Sequence, residues 1–379
     1  MTRRRRIVLL ALAGFAAAGS LTCSPAYLIR AGIEEGRILS RRRPIAEVAA
    51  DPATPERERQ KLNLVTDARD FAEHALGLDA GDSYTTYSWV DRDTLLLVVS
   101  AARRDRFEPH TWWFPIVGHV PYKGFFDFDA AFRQAAALEE RGLDTWVRPS
   151  PAFSTLGWFS DPVLNTVLRS SDVALVSTVI HEILHNTLFI PSQVSFNESF
   201  ASFVGDRGAI DFFCSRDGDD SASCREARAE WHDNLLFGAF LTRFIDDLEN
   251  LYARDDLSSA AKITAREAVF AAARSRFRAE VLPGLHTAAF RGFADRPLNN
   301  ATLIGFRLYY RGLDRFEAAF REHGGDLVAT LRAIEAATRD RRRDPFAALE
   351  ELIGRARAAP GAEAGARGRK LWTRILPAV

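Results

Sequence analysis

The sequence lacks net charge. Its 379 residues carry 50 Lys+Arg and 50 Asp+Glu. A surface for nucleic acid asks for a basic excess, so no nucleic-acid partner is expected. Cysteine is scarce, with three in all: Cys23, Cys214 and Cys224. Stability must therefore come mainly from the core. At 47% hydrophobic residues the chain can bury a large one, in one big domain or two tightly joined. Internal repeats are absent. Lysine is rare beside arginine, which reads as genome composition rather than function.

Charge is also missing from Ile7 to Ile29, and that gap is informative. Arg3 to Arg6 form a positive region, Ile7 to Ala18 an apolar one, and the small residues Gly19 and Ser20 follow. The pattern is an export signal. Three fates are open. The segment can be cleaved after Ala16-Ala17-Ala18. Cys23 can become a lipidated N-terminal cysteine, although Ser20-Leu21-Thr22 depart from the lipobox pattern. The apolar run is also long enough to stay as a membrane-spanning anchor. Each fate places the mature chain outside the cytoplasm, at the cell envelope. Cys214 and Cys224 flank the polar stretch "SRDGDDSAS" and can pair in an oxidising compartment. The alternative is three unrelated cysteines.

Residues 44–80 read as amphipathic helix, with apolar Leu62, Leu64, Val65, Phe71 and Leu76 near helical spacing and Gly77 as a stop. "SYTTYSWV" and "DTLLLVVSAA" read as strands. The aromatic run Thr111–Asp127 reads as loop with short strands, lining a cleft or joining the core. "FDAAFRQAAALEERGL" is a helix, and "DTWVRPSPAFSTLGWF" is strand and loop. Residues 226–357 are almost entirely helical in pattern, and the Ala/Gly/Arg-rich end is low-complexity. Three parts result: a signal or anchor over 1–23, a domain over 24–357 and a tail over 358–379. Arg41–Arg43 and Arg341–Arg343 read as solvated surface, the first also able to touch anionic lipid.

The chemistry concentrates in "SSDVALVSTVIHEILHNTLFIP". Ser171 or Asp172 can cap a helix that is apolar nearly all round and ends before Pro191. His181 and His185 stand four apart, so both imidazoles leave one face and can reach one metal ion. Glu182 lies beside them, placed to take a proton from an activated water and pass it to a leaving amine. Zinc needs a third protein ligand and an open position. Glu198, in "SFNESFASFVG", supplies that ligand from the first turn of a second helix capped by Asn197 or Ser195. Histidines on an apolar helix are more often core residues. Here two histidines and a glutamate share one, and burying them without partners would cost several kcal/mol. A metal removes that cost.

His181-Glu182-x-x-His185 followed by Asn197-Glu198-x-Phe200-Ala201 resembles the gluzincin metallopeptidases. "NESFASFV" is similar to the zinc-glutamate helix of M1-type aminopeptidases, although the glutamate here follows the second histidine more closely. "CSPAYLIRAG", "RRRPI", "TWWFPIVGHVPYKGFFD", "AFSTLGWFSDP" and "LNNATLIGFRLYY" extend the likeness to a family of bacterial predicted aminopeptidases, often lipoproteins. The resemblance implies Zn2+ held by His181, His185 and Glu198, a gluzincin-like core, and export with lipid on Cys23.

Further roles can be placed on this frame. "AFSTLGWF" offers an edge, Ser154, Thr155, Leu156 and Gly157, on which a peptide substrate can lie as a strand; a core strand is the alternative. Tyr309 or Tyr310 can donate to the oxyanion, or both can be core aromatics. Asn299 and Asn300 can cap that helix or bond near the site. Asp161 is a candidate for the carboxylate that holds a substrate amine, against a plain turn at Asp161-Pro162. The expected fold is α+β: a gluzincin-like core with a small mixed sheet and a largely helical C-terminal half. The expected function is an exported zinc peptidase, an aminopeptidase attached to the membrane by lipid or anchor. The competing reading is a zinc-containing envelope lipoprotein that binds or scaffolds without hydrolysis.

Overall fold

The computed structural model describes residues 25–114, 118–150 and 162–358. Cys23, Ser154 to Gly157 and Asp161 lie outside them. Helix α1 spans Pro25–Ser40. Strand β1 (Arg43–Pro44) leads into α2 (Ile45–Ala50) and α3 (Glu56–His74). The sequence predicts one helix across 44–80, and the structure breaks it at Pro52 and Pro55. Proline has no N–H to donate and pushes the preceding residue out of helical geometry. Gly77, at φ 71°, turns the chain away after α3, as expected.

The strands follow: β2 (Thr86–Ser88), β3 (Leu96–Arg103), β4 (Trp112–Phe114), β5 (Gly118–Val120) and β6 (Tyr122–Phe125). Helix α4 (Phe128–Glu140), strand β7 (Leu143–Ser150) and strand β8 (Val163–Leu164) complete this half. The single mixed sheet of the sequence reading is three small sheets among the described residues. Only β1-β2-β8 mixes directions; β6-β3-β7 and β4-β5 are antiparallel. Strand β3 is buried on both faces. Leu97, Val99 and Ala101 pack with Ala131, Ala135 and Leu138 of α4. Leu96 and Val98 enter the main core, and Ala102 meets Ala301 and Ile304. Strand β7 alternates in the same way. Leu143 and Val147 join the α4 side, which turns Asp144, Trp146 and Arg148 to the other face.

The rest is helical: α5 (Asp172–Thr187), α6 (Val194–Asp217), α7 (Ala222–Tyr252), α8 (Ser259–Arg276), α9 (Asn300–Tyr310), α10 (Leu313–Glu322), α11 (Leu327–Arg339) and α12 (Pro345–Ala358). Together with the sheets this makes an α+β fold. Helices α5 and α6 form its centre. Phe196, Phe200 and Phe203, at i, i+4 and i+7 of α6, each set a ring 5.3–5.6 Å from Phe316 of α10. A disulfide joins Cys214, near the end of α6, to Cys224 at the start of α7. No helix among the described residues is long and apolar enough to cross a membrane.

Candidate active site

Helix α5 starts where Ser171 Oγ accepts a bond from Ala174 N at 3.1 Å. Its Val176, Val179, Ile180 and Ile183 are fully buried. Ser177, His181 and His185 form one row at four-residue spacing. Gly205 lets α6 cross this row closely: a Cβ there would lie 2.6 Å from the Ser177 carbonyl oxygen and 3.2 Å from His181 Cβ. Only a glycine permits that approach. The crossing sets Glu198 against the histidines and, two turns further along α6, Asp206 against Ser177.

His181 Nε2 and His185 Nε2 lie 3.4 and 3.9 Å from the same Glu198 Oε2. The three groups offer ligand atoms all within 4.8 Å of one another. A tetrahedral zinc with bonds of about 2.0–2.2 Å needs ligand atoms roughly 3.3–3.6 Å apart. The observed set is slightly open of that, and a small inward shift closes it. The protonation states of His185 and Glu198 agree with this. Burial holds His185 down at about 4, so its ring is neutral, and its Nδ1 is buried without a hydrogen-bond partner. Burial raises the Glu198 carboxyl, but its hydrogen bond with His181 and the charges of His181 and Arg148 outweigh it and keep Glu198 lowered. Burial pulls His181 down, and Glu198, Glu182 and Asp206 outweigh that and leave it raised. A neutral imidazole and an ionised carboxylate converging in a partly buried site suit a cation.

Two other groups could be taken for metal sites. Cys214 and Cys224 are spent on their disulfide. Asp233, between His232 and His286, already accepts from His286 N, Thr287 N and Thr287 Oγ1, so it anchors a turn. A cavity of about 570 Å³, lined by Lys61, Asp67, Asp172 and Arg216 at the far end of α5, holds none of the site residues.

The tyrosine pair divides. The Tyr309 ring lies 6.4 Å from the His181 ring, and its hydroxyl accepts from Arg148 Nη2 at 3.3 Å. Burial pushes that hydroxyl up to about 12, the Glu198 charge adding and Arg148 opposing, so it stays a protonated donor. Tyr310 turns instead to Phe237, Phe290 and Phe306, and lines a separate cavity of about 350 Å³ with Glu230 and Asn234. Asn299 caps α9 through Thr302 N. Asn300 bonds Arg103 O and Tyr252, away from the histidines.

Asn197 is not a cap. Its side chain bonds both the N–H and the C=O of Ile190, and α6 starts at Val194 without a side-chain cap. Glu198 therefore sits in the second turn rather than the first. Three residues escaped the sequence reading. Arg148 reaches the site from β7. Asp206 accepts from Ser177 and Asn234 at 2.7 Å each, and its charge acts on His181. Tyr122 of β6 is raised well above its usual range by burial, then by Glu198 and Tyr309. The alternation Asp144-x-Trp146-x-Arg148 and the spacing from Glu198 to Asp206 were the available signals.

The fold is thus a mixed one whose central helix pair sets two histidines of an HExxH segment against a glutamate. The chain matches a family model described as "Putative aminopeptidase" over residues 26–349, and it belongs to that family. Neither the curated proteins nor the solved structures compared with it give a match.

Proposed function

We propose that the chain is an exported zinc-dependent aminopeptidase. The observation that carries the reading is the convergence of His181 and His185 Nε2 on one oxygen of Glu198, in a partly buried site shared with Glu182. Family membership supports peptidase activity. His181, His185 and Glu198 hold the zinc. Zinc, when bound, supplies a Lewis acid that polarises the scissile carbonyl and makes water acidic near neutral pH. Glu182 takes the proton of the attacking water and returns it to the leaving amine. The protonated Tyr309 donates to the oxyanion as the carbonyl carbon becomes tetrahedral. Ser154 to Gly157 hold the peptide as an edge strand, and Asp161 is the candidate anchor for its amine. Arg3–Arg6, the apolar Ile7–Ala18 and the Cys214–Cys224 disulfide support export to an oxidising compartment, with attachment to the membrane through Cys23.

The test compares wild type with Glu182→Gln. Both are expected to hold one zinc and melt alike, while turnover of a mixed peptide library falls about 10²–10⁴-fold in the variant. Wild type that holds zinc and cuts no peptide would instead support the scaffolding role.

A further inference from the structure

Arg148 is a half-buried guanidinium that faces the site with most of its donors uncommitted among the described residues. Among the described residues it makes one hydrogen bond, to the Tyr309 hydroxyl, and no ion pair. Arg266, a buried arginine tied to β7, differs: it forms a two-pronged bond to Asp144, with N–O distances of 2.6 and 3.0 Å. A buried charge is costly without a counter-charge in contact with it. Burial lowers the Arg148 pKa, yet Tyr309, Tyr122 and Glu198 outweigh it, so the group stays charged.

Its surroundings hold its plane without using its donors. The guanidinium carbon lies 5.5 Å from the Trp146 ring centre and 5.7 Å from that of Tyr309. A planar fork clamped in this way matches a carboxylate at two points. The carboxylates nearby are engaged elsewhere. Glu198 faces the histidines, and Asp206 is bonded to Ser177 and Asn234. Among the described residues no ion pair fills this position, which leaves it open to a carboxylate that a ligand supplies.

Distance selects which anion. One tyrosine ring separates the guanidinium from His181. Two residues of extended peptide span roughly 7 Å. A carboxylate one or two residues beyond a bond cut at the histidines would reach Arg148. We propose that Arg148 receives the free C-terminal carboxylate of a di- or tripeptide, which makes short unblocked peptides the substrate class. This rests on the peptidase reading above. If Arg148 only orients Tyr309 or offsets Glu198, its loss would weaken all peptides alike.

The experiment uses the full zinc-loaded chain carrying Glu182→Gln, so that binding is read without turnover. Di- and tripeptides of alanine, leucine and phenylalanine are titrated as free acids and as C-terminal amides by calorimetry. Free acids are expected to bind about 10–100-fold tighter, as charged hydrogen bonds to a guanidinium imply. Adding Arg148→Gln should erase the preference, and Arg148→Lys should retain part of it. Equal affinity for acid and amide, or no binding of either, overturns the proposal. Turnover by wild type separates the two claims. Cutting of acids and amides at equal rates defeats the carboxylate receptor and leaves the peptidase. A binding preference without any cutting defeats the peptidase and leaves the receptor.

Discussion

Burial pushes the Glu230 carboxyl up to about 7, and the charges of Asp206, Glu226 and Asp233 push the same way. Its folded pKa thus exceeds the unfolded 4.5, and the folded chain holds this proton more tightly. The stability it contributes is full below pH 4.5 and is lost as pH rises to about 7. Glu230→Gln should remove that slope and raise stability at pH 8 by about 1 kcal/mol, allowing for solvent screening. Urea midpoints at pH 4.5 and pH 8 check this, and a variant with the wild-type slope would refute it. At this scale the approach of His181, His185 and Glu198 was legible, because histidines four apart leave one face of a helix. Asn197 was misjudged, since its two bonds to Ile190 depend on how the chain turns between α5 and α6. Arg148 was missed, since a lone arginine in a strand looks solvated until the partner helix is in place.

Helices α5 and α6 meet through Gly205, and the separation of the histidines from Glu198 depends on that contact. Gly205→Ala would drive a methyl into the Ser177 carbonyl oxygen. The expected result is a loss of about 1–3 kcal/mol, as for other overpacked cores. It should also release zinc faster, read by chelator competition beside thermal melting. Unchanged melting and unchanged release would show that the crossing is slack. The helices themselves were legible from Ser171, the apolar run and the spacing of Phe200, Phe203 and Val204. The break between α2 and α3 was not, because the apolar spacing runs on past Pro52 and Pro55 and hides them. The crossing itself was hidden too: nothing local in "SFVGDRG" says which helix Gly205 faces.

Across the whole molecule, one buried pair ties the sheet to the helical half. Arg266 of α8 bonds Asp144 of β7, and Asp144 also accepts from Asn300 N at the start of α9. Arg266→Ala leaves the buried Asp144 with only the more exposed Arg104, whose Nε lies 3.4 Å away, at a cost of about 3 kcal/mol. Chemical denaturation measures this, and a loss below 1 kcal/mol would place the junction elsewhere. The α+β class was legible from strand-like and helix-like stretches. The division into three sheets was not, because pairing such as β2 with β8 joins residues far apart in sequence. That same separation has a consequence in time. His181, His185 and Glu198 lie in one helix pair and leave the ribosome together. Arg148 and Tyr309 are 161 residues apart, and their contact waits for α9. Contacts close in sequence form first. A growing chain is thus expected to bring its two histidines to Glu198 before Arg148 finds Tyr309, so that the site is finished only when synthesis nearly is.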